Sequence, residues 1–206
     1  TTEALCTMAL RDGKIEYMMD DDGTKKKYTV DYGTTPQTFT AATKWNSSGV
    51  KLASLIGDLQ AMAKKIREKG GVGEIVFASG FDVYEAISSL VLNLGNDSRV
   101  MARVDQNYVE IAGFKIHCVS DSYVNYNSSN AEEAVDKIKT KTIIASAVDR
   151  NHLRYCAVDD MEAGFQGNPF FVKQKRVDDP AGTKLYVQSK PIPLPNLETA
   201  LIGTVL

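Results

Sequence analysis

The 206 residues predict an α+β fold, and three features of the sequence carry that prediction. Leu52, Leu55, Ile56, Leu59, Met62, Ala63 and Ile66 recur at three- and four-residue steps, one unbroken stripe along a helix. Directly after it, "EIVFAS" has the length and character of a buried strand, and "FDVYEAISSLVLNLG" returns to helical period. From Tyr108 onward the apolar residues fall in short strand-length runs, which places a helix–strand–helix unit on a mainly antiparallel sheet.

In chain order, Leu5, Met8 and Ala9 are at helical spacing, and Gly13 after "RD" is placed for a left-handed helix stop. "KIEYMM" and "KYTVDYG" then alternate around "DDDGTKK", with Ile15, Tyr17 and Met19 on one face and Tyr28, Val30 and Tyr32 on one face, so a β-hairpin is expected. "TTPQTFTAATKW" is extended and polar. "NSSG" offers Ser47 or Ser48 as the cap of the long helix. Lys64, Lys65, Arg67 and Lys69 suit the C-terminal end of that helix dipole, and Gly70-Gly71 stops it.

The second helix is expected to be capped by Ser79, with Val83, Ala86, Ile87, Leu90 and Leu94 inward. "YVEI", "GFKIHCVSD", "KTIIASAV", "LRYCAV" and "KLYVQS" read as strands, and "NAEEAVDKIK" as a short surface helix with a thin apolar stripe. Pro191, Pro193 and Pro195 alternate before a terminal strand, Ala200 to Leu206. They lack backbone N–H groups and force extended geometry, the signature of a sheet edge.

Composition excludes more than it assigns. A net charge of -2 gives no electrostatic case for gripping nucleic acid or an anionic membrane. No apolar run approaches the roughly 18 residues that span a bilayer, and the N-terminus lacks the pattern of a signal peptide. Cys6, Cys118 and Cys156 are widely spaced without a CxxC, which reads as reduced cytoplasmic thiols, so the Asn-x-Ser triplets at Asn46 and Asn127 carry no weight. The start inside a helix, without Met, leads to the expectation of a longer gene product upstream of Thr1.

Motifs that carry chemistry fail one after another. His117 and Cys118 are neighbours on a strand and point to opposite faces, while His152 and Cys156 border a polar turn, so neither pair makes a metal site. Asp20 to Gly23 resembles the start of a calcium loop, but the required Gly and Glu positions hold Lys25 and Asp31. Ser79 lacks the glycine frame of a nucleophile elbow, since Phe77 and Phe81 stand there. "GGVG" has no GK[ST] and precedes a strand. Asp159, Asp160 and Glu162 have nothing nearby to desolvate one of them, and "KKIREK" has no interleaved aromatics for base stacking. No residue is put forward as catalytic, cofactor-binding or metal-ligating, and no cofactor is expected.

The order of landmarks resembles the lambda-type major capsid proteins of tailed bacteriophages and prophages. The residues that carry this are "EALCTMALRDGKI", "YTVDYG" with the Thr-rich stretch to Trp45, the block from Val50 to Ile87, and the tail "VQSKPIPLPNLETALIGTVL". The resemblance implies the Hong Kong 97-type capsid fold, with residues 46–155 as an axial domain and residues 1–45 and 156–206 as a partial peripheral domain. Most of the spine helix, the N-terminal arm and the extended loop would then lie upstream of Thr1. The terminal strand would lie in the peripheral sheet beside residues 15–32.

The implied function is structural: a non-enzymatic major capsid subunit, assembling through pentamers and hexamers around packaged double-stranded DNA. Scaffold, protease or decoration proteins would be further partners, with no membrane and no sequence-specific nucleic-acid contact. The implied location is the virion, and the bacterial cytoplasm before assembly. The alternatives are an encapsulin-type compartment shell, or a head-decoration or tail component.

Overall fold

A computed structural model describes residues 2–21, 24–93, 101–126, 131–178 and 181–206. The tip residues Asp22 and Gly23, the inward position expected for Leu94, and Asn127 lie outside the described residues. Helix α1 (Thr2–Asp12) ends at Gly13, whose N–H donates to the Ala9 carbonyl at 3.1 Å with φ of +66°. A Cβ on Gly13 would stand 2.3 Å from the Thr34 carbonyl oxygen, so the stop needs glycine for space as well as for its dihedral.

Strands β1 (Lys14–Asp21) and β2 (Thr24–Asp31) form the expected hairpin. Ile15 faces Val30 and Tyr17 faces Tyr28 across it, and the two tyrosine rings stack at 5.8 Å. Ile15 is buried, with α1 packed on β1.

The core is a seven-stranded sheet. Its strands are β3 (Gln37–Thr40), β4 (Ile75–Ser79), β5 (Ala102–Val104), β6 (Tyr108–Ile111), β7 (Phe114–Cys118), β10 (Thr142–Ala147) and β15 (Ala200–Thr204), in the spatial order β3-β15-β10-β4-β7-β6-β5. Four of its joints are antiparallel, while β15–β3 and β4–β7 are parallel. Central β10 is buried almost throughout, as its unalternating run "TIIASA" requires. Helix α2 (Leu52–Glu68) packs on β10 and β15, and α3 (Phe81–Leu92) on β5, β6 and β7. The predicted stripe of α2 is buried except for half-buried Ile56.

Several expectations are corrected. The residue before α2 is Lys51, which supplies no side-chain cap; Ser47 instead closes a turn in which its N–H donates to the Lys44 carbonyl. Gly80, not Ser79, caps α3, because the chain there presses so close to Lys139 that a Cβ would lie 2.4 Å from its carbonyl oxygen. Ser79 ends β4 and is fully buried, with its hydroxyl 3.5 Å from the His117 carbonyl. "NAEEAVDKIK" holds no helix among its described residues. Its Glu132–Asp136 is strand β9, paired antiparallel with β8 (Ser122–Tyr126), where Val135 opposite Tyr123 outweighs a weak helical stripe.

The largest correction concerns the tail. The terminal strand β15 does not pair with residues 15–32; it lies between β10 and β3, with Leu201 opposite Ala145. Ala200, Leu201, Gly203, Val205 and Leu206 are buried there, a burial that the charged strands of the hairpin, with Lys25, Lys26 and Lys27, could not offer. The proline rail is separate: Pro191–Leu194 is β14, paired antiparallel with β11 (His152–Tyr155) and packed against α1. Prolines at alternate positions leave donors only at Ile192 and Leu194, so this strand can be paired along one side only. "KLYVQS" belongs to β13 (Ala181–Gln188), which forms a long hairpin with β12 (Phe171–Asp178).

Candidate assembly interface

The residues weighed as chemical sites are absorbed by the fold. His117 and Cys118 lie on β7, where the His117 ring sits 6.2 Å from that of Tyr108 and burial pushes the half-buried Cys118 thiol pKa up. His152 is opposite Leu194 on β11, and Cys156 is exposed. Among the described residues no group of three or more His, Cys, Asp or Glu side chains could hold a metal ion. The short 3-10 turn Met161–Ala163 is capped by the Asp160 carboxylate, which accepts from the Glu162 N–H at 2.9 Å. That bond, and then Lys173 at 3.2 Å, holds the Asp160 pKa below the usual carboxylate value. Glu162 also pairs with Lys173, at 3.0 Å, and Asp159 with Lys190. The basic face of α2 is solvated: Lys64 pairs with Glu68 at 3.8 Å and Lys65 lies over the Phe39 ring at 5.6 Å.

What the fold does present is exposed surface on its hairpins. Three two-stranded hairpins, β1–β2, β8–β9 and β12–β13, leave the main sheet, and isolated hairpins are marginally stable in water. The first two are braced. The Arg11 guanidinium donates to Asp12 at 2.7 Å, to the Asp136 carbonyl at 2.8 Å and to the Tyr123 hydroxyl at 3.2 Å, binding α1 to β8–β9. Its pKa is raised, first by the bond to Asp12. Lys137 adds ion pairs to Glu3 at 2.8 Å and Asp121 at 3.2 Å, and these raise its pKa. An open groove of about 900 Å³ runs between α1, β1 and β8, lined by Leu5, Met8, Tyr17 and Tyr123 among others.

The third hairpin is different. β12 and β13 pair with one another over eight residues and, among the described residues, pack extensively on no other element. Exposed large apolar side chains gather on and beside it, at Met161, Phe165, Phe170, Val172, Leu185 and Val187. Such a concentration marks an interaction surface. Sequence reading saw only "KLYVQS" and missed β12, because the basic run "KQKR" hid the alternation of Phe171, Lys173 and Lys175 opposite Gln188, Tyr186 and Lys184. It missed β8 as well, though "SYVNY" is an alternating aromatic and β-branched run.

A family model described as phage major capsid protein E matches residues 1–205. The chain belongs to that family. The family's description is that of a phage major capsid protein, a structural protein of the virion. Among solved structures, the chain is similar to a protein described as the capsid protein of a prophage of Escherichia coli CFT073, with a TM-score of 0.65 and 19% identity. The similarity covers 100% of this chain and 62% of that one, so the chain spans less than two thirds of the neighbour's length. At this identity the likeness is one of fold, and it agrees with the mixed helix and sheet architecture. No curated protein matches the chain. No helix among the described residues is long and apolar enough to cross a membrane.

Proposed function

We propose that this capsid subunit builds an icosahedral head of the Hong Kong 97 type around packaged double-stranded DNA. The family match over residues 1–205 carries the reading. The division into domains follows the sequence expectation: residues 46–155 form the axial domain, with β3 and β15 added to its sheet from the flanks, and the rest of residues 1–45 and 156–206 forms a partial peripheral domain. Pentamers and hexamers are the building units, and scaffold, protease or decoration proteins are its further partners. The subunit passes through the host cytoplasm before assembly and plays no catalytic part. A compartment shell, or a decoration or tail role, is not favoured by the family.

Electron microscopy with sedimentation of the gene's full product tests the reading. Closed shells of regular size, filled with DNA in phage-producing cells, are the expected result. Small discrete species at every protein and salt concentration would overturn it.

A further inference from the structure

The contacts among the described residues separate two bodies. Helix α1 packs on β1 and on β14, and β14 pairs with β11, so α1, β1–β2 and the β11–β14 ribbon hold together. The main sheet with α2 and α3 is the other body. Strand β11 goes with the first, so the boundary falls at residues 148–151, just short of residue 155. Among the described residues, β1 with β8 is the only pair of elements packed extensively across it.

The chain crosses between the bodies three times, at residues 32–36, 148–151 and 195–196. One side chain ties two of the crossings together. The Asn151 amide donates to the Ser146 hydroxyl at 2.8 Å and to the Ala147 carbonyl at 2.9 Å, and its side-chain oxygen accepts from the Asn196 N–H at 3.1 Å. In the remaining crossing Gly33 stands at φ of +71° with open space where a Cβ would be. Glycine tolerates a change of dihedral best, and hinges lie in short segments at the ends of elements.

Away from the crossings, β8–β9 reaches from one body to the other. It is rooted in the main-sheet body, where the Val119 N–H donates to the Ser79 carbonyl and the Val83 N–H to the Thr140 carbonyl. Against α1 it is held by polar groups: Arg11 at the Asp136 carbonyl and the Tyr123 hydroxyl, and Lys137 at Glu3 and, within its own hairpin, Asp121. The Glu3 and Asp121 side chains are 80 and 71% exposed, and exposed ion pairs hold weakly and are screened by salt. Beside them lies the open groove of about 900 Å³, so a change of angle here meets empty space and not a packed core.

We propose that β8–β9 is a strap latched to α1 by Arg11 and Lys137, and that releasing the latch lets the two bodies rotate about the crossing pinned by Asn151. The inference rests on the shell reading for its use. A subunit that builds both rings of five and rings of six presents wedges that differ by about 12°. A small polar contact between bodies leaves such rotation open, where a large apolar one would lock it.

Spin labels on the two bodies test it in the gene's full product. They go on Thr29→Cys in β2 and Glu85→Cys in α3, both exposed, in a Cys6→Ala, Cys118→Ala, Cys156→Ser background, with labelled copies diluted among unlabelled ones. A rotation of about 12° over a lever of roughly 25 Å moves a label by about 5 Å. The parent at low salt should give one narrow distance. Glu3→Gln with Asp121→Asn removes both latch carboxylates, and Asn151→Ala removes the pin; each should add a second distance displaced by at least about 3 Å. The parent in about 1 M salt should resemble the latch variant, since the screening length there is about 3 Å. Arg103→Gln, which breaks an ion pair within the main-sheet body, should leave the distance unchanged. A single parental distance in the latch variant at low and high salt would overturn the inference while leaving the shell reading intact. So would a broadened distance that comes with loss of amide protection in β4 and β10, since that is unfolding and not rotation. If the parent forms no shells, the shell reading fails, and the distances still decide the joint.

Discussion

Replacing Gly203 by Val tests where the terminal strand lies. Gly203 sits in β15 opposite Ile143, and a Cβ there would stand 2.7 Å from Ile143 Cγ2 and 3.3 Å from Met62 Sδ. Carbon pairs rest at roughly 3.5–4.0 Å, so about 1 Å of overlap must be absorbed. Ile143 is stiff at χ1 and fully buried, which leaves it little room to turn. Overpacking of this kind costs about 1–3 kcal/mol, and removing a strand glycine returns about 0.5–1 kcal/mol. The expected net loss is about 1–2 kcal/mol.

The sign is what discriminates. Beside the solvated hairpin β1–β2, the same substitution would be neutral or stabilising, because Val suits an exposed strand better than Gly. Urea unfolding followed by Trp45 fluorescence is the assay. Trp45 is the one tryptophan, its backbone N–H donates to the Val205 carbonyl at 2.8 Å, and its indole donates to Asp58 at 2.8 Å. Its emission therefore reports on this junction, and the midpoint should fall by about 0.5–1 M. Ile143→Ala alone should cost about 2–5 kcal/mol. Combined with Gly203→Val, it should cost at least about 1 kcal/mol less than the sum, since it vacates the contested space. An unchanged or raised midpoint for Gly203→Val, or strict additivity in the cycle, would refute the placement.

Gly80→Ala should cost more than about 2 kcal/mol, because its Cβ would meet backbone at Lys139 and Thr140 that cannot rotate away. Ser79→Ala, whose hydroxyl bond is 3.5 Å long, should cost less than about 1 kcal/mol in the same urea assay. Glu16 is held below its ordinary pKa of 4.5 by hydrogen bonds first from Lys14 and then from Lys27. Its contribution is present in full above that ordinary value and lost as the pH falls through the lowered one. Amide protection factors in β1–β2 should be flat from neutrality down to the ordinary value, fall from there through the lowered one, and level off below it, and Glu16→Gln should abolish the step. Maleimide labelling near pH 7 should modify exposed Cys156 first, since burial raises the thiol pKa of Cys6 and Cys118; peptide mass mapping reads the order.

The elements that could be read from the sequence are those whose signal is local. The stripe of α2, the alternation of β1 and β2 and the glycine stop at Gly13 each depend on residues a few positions apart, and each stands as expected. The errors fall where a distant neighbour decides. Ser79 has the chemistry of a helix cap, but the close approach of Lys139 gives that place to glycine. Residues 132–136 have a faint helical stripe, but β8 offers them a ladder. The β12–β13 hairpin was half legible, since "KQKR" reads as a charged loop until its partner strand is laid beside it.

By itself the sequence determined the α+β class, the apolar face of α2 and the extended, one-sided character of the proline rail, all set by dihedral limits and by the period of apolar residues. It also holds, in order, the motifs that resemble the capsid family. Only the tertiary structure decided that β15 enters the main sheet between β10 and β3, and that the β12–β13 hairpin packs extensively on no other element among the described residues. Strand pairing carries no mark in the strands themselves: the backbone ladder is the same for any partner. The choice falls to whichever neighbour can bury Leu201 and leave room at Gly203.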